Sequence, residues 1–346
     1  NFTDNDRMFL VKLTDLDKND VQEGVHVFDY YDRESLPERL YGGQDHWGYY
    51  NGPGSASQLL PLYDINIDGT QSDYDGYFDG VGVNRSPDAS YAKIGMLRSI
   101  VYPSSMFTTY EYEANLLEDD TETGGLRLAK VTNHDPVTGY KDITRYYYNH
   151  INDLNNSSGH QDIRPNFFSY YSYFVNKLSN PNDVCEHFEC EWATLESNSL
   201  NALYNTSGQH ITYEYVTIGK GENFDNGAIE YKYLLSSDAK ATHVHGDPID
   251  GLPLNNLSWN NGLVDRIKTY KKDAQQNFVT LRQVDHNYNE DNRLKAVIPG
   301  AVIQRTYATD CEENATLTCT SENSQPIYHT FCRAKHTHNY GPNGDC

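Results

Sequence analysis

Residues alternate with a period of two along much of this chain, and Tyr, Val, Ile and Thr recur at the alternating positions. That period places successive side chains on opposite faces of an extended strand, and these residue types fill a pleated surface well. The pattern predicts strands over 22–31, 98–113, 126–132, 141–149, 210–217, 228–235, 263–270, 278–288 and 301–307. Short polar turns separate them, such as His134–Gly139 with its Asp-Pro and Thr-Gly pairs and the polar run from Asp285 to Arg293. Antiparallel hairpins follow. Helix signals are few. Ser86-Pro87-Asp88-Ala89-Ser90 offers an N-cap with Pro at the first helical position, leading to Tyr91, Ile94 and Leu97. Phe188, Trp192, Leu195 and Leu203 predict a second short helix within 186–203. No alternation of strands with helices suggests a parallel sheet. The fold class is therefore all-β, mainly antiparallel hairpins, with a few short helices and long loops.

A weak internal repeat runs through this pattern. Thr109-Tyr110-Glu111-Tyr112-Glu113, a polar loop and Gly124–Lys130 parallel Thr212-Tyr213-Glu214-Tyr215-Val216, a second polar loop and Gly227–Lys232. Asn261–Lys268 opens a third strand of the same kind. Each unit reads as strand, long turn, strand, and repetition of that sort suggests stacked hairpins that bury each other's faces. Two regions are expected, 1–160 with an Asp-rich loop at 64–79 and 161–346 with a Cys/His-rich end, or else one continuous sheet.

Composition sharpens the picture. Aliphatic residues are scarce in these 346 residues, while Tyr contributes 29, so the core must draw on aromatic rings. Tyr suits that role because its ring packs while its hydroxyl reaches solvent or a partner. Lys and Arg total 27 against 49 Asp and Glu, a formal charge of -22. Such a balance argues against a nucleic-acid partner, which needs a basic face, and favours cation binding. No apolar run of about 18 residues is present, so membrane insertion is not expected. The chain starts at Asn1 without a Met or a leader, as expected of a mature product or a fragment. Six cysteines, Cys185, Cys190, Cys311, Cys319, Cys332 and Cys346, avoid the CxxC spacing of zinc and redox sites. An even count clustered near the end reads as disulfides in an extracellular or cell-surface setting, with Cys185–Cys190 as a local bridge and the last four paired among themselves. Buried free thiols are the alternative.

Candidate chemistry is sparse. In the run from Asp64 to Asp75, oxygen-bearing side chains fall at Asp64, Asn66, Asp68, Ser72 and Asp75, with Gly69 at the sharp turn and the carbonyl of Thr70 as a further ligand. This is the spacing of an EF-hand or dockerin-type calcium loop, so Ca2+ is the cofactor to consider. An Asp/Gly-rich solvated turn is the alternative, and Asp73, Asp75 and Asp79 offer a second arrangement. His243, His245 and Asp247, and His336 with His338, have the H-x-H form of a zinc pair but lack a third ligand at diagnostic spacing. Gln44-Asp45-His46-Trp47 sets a carboxylate beside an imidazole. Neighbours on a strand point apart, so a structural corner with Trp47 buried and His46 hydrogen-bonded outweighs acid–base chemistry. Hydrolase, metalloprotease and nucleotide-binding signatures are missing, which leaves the catalytic residues as none.

Several of these blocks carry a resemblance. Gly125-Leu126-Arg127-Leu128, then Asp135, Gly139 and Arg145-Tyr146-Tyr147-Tyr148, resemble a degenerate YD repeat of the Rhs type. Gln44–Gly52, Asn84-Arg85, Tyr91-Ala92, Gly95-Met96-Leu97, Tyr102-Pro103, Ser197–Tyr204 and the end from Cys311 are similar to large surface proteins of the Bacteroidetes with diverged Rhs-like repeats. The Gln44–Gly52 and Gly124–Lys130 blocks are the most specific. The resemblance implies a secreted β-sheet shell wound from hairpins and no particular enzymatic activity. The leading expectation is a non-catalytic structural or interaction module whose partners are neighbouring protein domains or copies of itself. A carbohydrate-binding or carbohydrate-cleaving surface protein, with glycans as partners, and a fragment of a toxin-delivery shell remain open beside it.

Overall fold

A computed structural model describes residues 7–39, 41–54, 59–62, 82–177, 186–205, 208–238 and 258–289. These fall into two compact units, one holding the described parts of 1–167, 196–240 and 254–288, the other holding 168–177, 186–195 and 289. In chain order the elements are β1 (Lys12–Leu16), β2 (Gln22–Tyr30), the helical turn α1 (Ala89–Ala92), β3 (Leu97–Val101), β4 (Phe107–Leu116), β5 (Glu122–His134) and β6 (Lys141–Tyr147). Then come β7 (Gly159–His160), β8 (Phe168–Lys177), β9 (Glu186–Leu195), β10 (Thr212–Tyr213), β11 (Tyr215–Lys220), β12 (Ala228–Tyr233), β13 (Val264–Lys272) and β14 (Phe278–Asp285).

The first unit is built on one ten-stranded antiparallel sheet in the order β1-β2-β3-β4-β5-β6-β11-β12-β13-β14. It is a meander interrupted once, between β6 and β11, where Thr217 pairs with Tyr147 and Lys220 with Thr144. The two repeat units supply the β4–β5 and β11–β12 hairpins, laid side by side in that sheet and separated only by β6; the strand expected over 210–217 is split, and Thr212 and Tyr213 form β10, paired with β7 in a separate two-stranded sheet. Following paired positions across the ladder, Leu13, Phe28, Ile100, Tyr110, Val131, Tyr146, Ile218, Ile229, Ile267 and Val284 share one face. On the other face the segment after β6 covers β11–β13. Ile151 packs there with Phe224, Ala228 and Tyr270. Glu230, 3% exposed, accepts the Ile151 N–H at 2.7 Å and the Tyr270 hydroxyl at 3.1 Å, so its burial is matched by donors.

Tyrosine does what its chemistry suggests. Its hydroxyls donate to main-chain carbonyls, Tyr31 to Tyr110, Tyr112 to Leu97 and Tyr148 to Leu128, at 2.7, 3.0 and 3.0 Å. Arg127 on β5 is 4.6 Å from the Tyr148 ring and 5.2 Å from the Tyr213 ring, and donates to Glu113 at 2.8 Å. The guanidinium thereby ties the β6–β11 insertion to the sheet.

Three expectations are corrected. The run 98–113 is two strands, because Pro103-Ser104-Ser105 turns the chain and Ser105 takes a φ of 66°. The helix expected in 186–203 is replaced over Glu186–Leu195 by β9, which pairs with β8 from Phe168↔Leu195 to Lys177↔Glu186. Phe188, Cys190 and Trp192 alternate with Glu189 and Glu191, a period of two that the wider helical spacing obscured. The helix at 89 is capped by Asp88, which accepts the Ser90 N–H at 2.9 Å, and Ser86 and Pro87 stay outside it.

Candidate functional site

One local turn recurs among the described residues, and four of its copies open on an Asp or Asn whose side chain closes it. In Asp17–Val21 the Asp17 N–H bonds the Val21 carbonyl, the Asp20 N–H bonds the Asp17 carbonyl, and the Asp17 carboxylate accepts the Asn19 and Val21 N–H groups at 2.8 Å each. Asp273–Asn277 repeats the pattern, with its carboxylate accepting from Gln275 and Asn277 at 2.9 Å. Asn205 closes onto Gln209 in the same way. The fourth copy is Asp45–Tyr49, whose carboxylate accepts the Trp47 and Tyr49 N–H groups at 2.9 Å. The next-to-last residue takes positive φ in each: Asp20 at 62°, Gln276 at 66°, Gly208 at 79° and Gly48 at 94°. Asp or Asn at the first position and Gly or a polar residue at the fourth are what such a turn selects. The Asp45–His46 neighbours are therefore a turn signature, with the carboxylate folded onto the main chain.

What distinguishes Asp45 is its surroundings. It is 1% exposed and sits where most of the motif blocks meet. Arg85 donates to the carbonyls of Asp45 at 2.9 Å, Leu59 at 2.9 Å and Ser197 at 2.8 Å, and lies 5.3 Å from the Phe167 ring. Asn51 donates to the carbonyls of Asn84 and Ser86 at 3.1 Å each. Trp47 lies so close to Gly124 that a Cβ there would be 2.6 Å from the indole, and Tyr49 closes on Gly125, which also has a φ of +77°. Tyr50 meets Tyr91 edge to face at 5.5 Å, and His210 lies tilted against Trp47 at 5.4 Å while bonding the Gly124 carbonyl at 2.7 Å. The two most specific blocks, far apart in sequence, are packed together through these glycines.

Burial dominates the electrostatics. It pushes the Asp45 carboxyl up to about 6, against the pull of the Tyr49, Trp47 and Gly48 N–H groups and of Arg85. It pushes the His46 imidazole down to about 4, with the Arg85 charge acting the same way. His46 lies 4.9 Å from the Phe167 ring and its Nδ1 makes no hydrogen bond, nor does the Trp47 indole N–H. The expected hydrogen-bonded His46 is thus corrected to one held by ring packing. The turn-bound carboxylate and the carbonyl-bound guanidinium tie the segments of the junction together.

A second cluster sits in a small cleft lined by His160, Asp162, Tyr204, Asn205, Gln209 and His210. His160 Nε2 is 2.7 Å from the Ser237 hydroxyl and 3.3 Å from Asp162 Oδ1. A nucleophilic relay needs the carboxylate on Nδ1 and the hydroxyl on Nε2. Here both compete for Nε2, and the shorter contact leaves Asp162 Oδ1 buried without a hydrogen bond. Tyr204 comes from the Ser197–Tyr204 block, whereas His160 and Asp162, with the neighbouring Ser237, belong to no motif.

The calcium-loop residues Asp64, Asn66, Asp68, Thr70, Ser72 and Asp75 lie outside the described residues, as do Cys185, Cys311, Cys319, Cys332, Cys346 and both H-x-H pairs. Cys190 is described only as a position on β9, opposite Tyr173. Among the described residues no three His, Cys, Asp or Glu side chains come together as a metal group, and no helix is long and apolar enough to cross a membrane. No family model, curated protein or solved structure matches the chain.

Proposed function

We propose that this chain is a non-catalytic structural or interaction module of a secreted or cell-surface protein, of the diverged Rhs/YD type. The observation that supports the reading most is the convergence at Asp45 and Arg85, where blocks 44–52, 84–85, 91–92, 124–130 and 197–204 meet in a junction whose polar groups are bound to main chain. Motif residues spent on joining segments serve architecture. The test is a panel of glycoside, peptide, ester and phosphoester substrates offered to the whole chain. No turnover above background is expected, and turnover that disappears in His160→Ala contradicts the reading.

A second reading, glycan binding, is favoured by the cleft. Tyr204 is 42% exposed there and offers its ring to a sugar face, in a cleft that Asp162 also lines. A glycan array decides it: a defined sugar bound by the wild type and lost in Asp162→Ala supports it, and a blank array removes it. The calcium loop and the Cys185–Cys190 bridge stay proposals from sequence spacing. Calcium should raise the melting temperature, and Asp64→Ala or Asp68→Ala should abolish the gain; a melting curve indifferent to EDTA reduces the loop to a turn.

A further inference from the structure

The two outermost strands of the sheet fit each other. Among the described residues no strand pairs with the outer side of β1 or of β14. Both edges are exposed and partly apolar, with Leu13 at 47%, Leu16 at 54% and Leu281 at 58%. Exposed edges of this kind are templates for pairing with another chain.

Hydrogen-bond direction along each edge follows from one bond at its end. The Phe28 N–H donates to the Val11 carbonyl at 3.0 Å, so antiparallel alternation turns Leu13 and Asp15 toward β2 and leaves the main-chain groups of Lys12, Thr14 and Leu16 facing outward. At the other edge the His286 N–H donates to the Asp265 carbonyl at 2.9 Å, which turns Val284 and Arg282 toward β13 and leaves Asp285 and Gln283 facing outward. A single antiparallel register satisfies both edges as far as the β14 bulge at Leu281: Lys12↔Asp285, Leu13↔Val284, Thr14↔Gln283 and Asp15↔Arg282. Outward-facing groups meet outward-facing groups. Both charged pairs are of opposite sign, and the apolar pair Leu13↔Val284 matches. The sheet has ten strands with antiparallel neighbours throughout, so β1 and β14 run in opposite directions. A second copy shifted along the sheet therefore presents its β1 antiparallel to this β14. Leu13 and Val284 also share a face, so the shift carries the same apolar face onward.

We propose that β1 of one copy of this chain pairs with β14 of another in that register, so that copies add edge to edge and continue the ten-stranded sheet. The contact is head-to-tail, and it propagates unless the sheet's curvature closes a ring. It goes beyond the scaffold reading and stands on the two edges alone: a substrate found for the chain would end that reading and leave this pairing untouched.

Sedimentation velocity of the whole chain over a concentration series tests it. The wild type should associate with rising concentration. Thr14→Pro removes one outward N–H and should abolish association while leaving the far-ultraviolet spectrum unchanged, because an edge strand tolerates proline at such a position. Lys12→Glu and Asp285→Lys should each weaken association about 5-fold, by placing like charges opposite each other. A mixture of those two variants should associate as the wild type does, since every junction in an alternating array again pairs opposite charges. A chain that stays monomeric at all concentrations overturns the proposal. So does association that neither Thr14→Pro nor the single charge reversals weaken.

Discussion

Asp17 and Asp45 sit in the same turn with the same bonds, and their acidities move in opposite directions. Each carboxylate accepts two main-chain N–H groups at 2.8–2.9 Å. At Asp17 the N–H groups of Val21 and Asn19 decide the matter and hold the carboxyl below its ordinary value. At Asp45 desolvation decides it and lifts the carboxyl to about 6. Asp273 behaves as Asp17 does, led by its bond from the Asn277 N–H. The turn fixes geometry, and its burial fixes charge. A hairpin turn on the surface only needs to hold the chain; buried under Phe167, Trp47 and Arg85, the same turn becomes a titrating joint.

The most severe way to disturb the buried copy is to remove its cation. Arg85→Met leaves the carbonyls of Asp45, Leu59 and Ser197 without their donor and Asp45 without its counter-charge, and should cost about 4 kcal/mol in chemical denaturation. Next comes Gly124→Ala, whose Cβ would meet the Trp47 indole at 2.6 Å; the expected loss is about 2 kcal/mol.

Asp45→Asn then sharpens the comparison through pH. A carboxyl near 6 in the fold and about 3.9 unfolded keeps its proton longer when folded, so the wild type loses stability as pH rises from about 4 to 6. The loss is roughly 3 kcal/mol at neutral pH. Asparagine keeps the accepting oxygen, as Asn205 does in its own copy of the turn, and carries no proton to lose. Thermal denaturation should therefore find Asp45→Asn more stable than the wild type at pH 7, with the advantage gone at pH 4. Smallest is Asp17→Asn or Asp273→Asn. These carboxyls are held below the usual range, so they contribute stability above about pH 4 that is lost as pH falls. Each substitution should lower the melting temperature slightly at pH 7, and the difference should shrink as pH falls below 3.8.

Much of the sheet could be read directly, because Thr109–Glu113 and Ile229–Tyr233 alternate cleanly between turns. Reading failed where two periods overlapped, as at Phe188-Trp192-Leu195, and where a turn fell inside one apolar run, as at Pro103–Ser105. The strand Phe168–Lys177 was passed over because Tyr170, Tyr171, Tyr173 and Phe174 show no alternation. The junction was half legible. Its blocks stood out as motifs, yet nothing local says that Trp47 packs on Gly124 or that Arg85 reaches the Ser197 carbonyl, since both contacts span long loops. The turn itself was legible in principle, as Asp or Asn followed three residues later by Asp, Gly or Gln and framed by strand residues. The pattern of Gln44–Trp47 suggests a structural corner, and Gly48 is the further residue that defines the corner as this turn.

The carboxyl titration of Asp45, followed by carbon-13 NMR beside Asp17 and Asp273, tests the account most directly. A midpoint of about 6 for Asp45, with Asp17 and Asp273 below 3.8, is the predicted result. Three carboxyls titrating together below 3.8 would contradict it, because burial at the junction would then leave the turn no different from its surface copies.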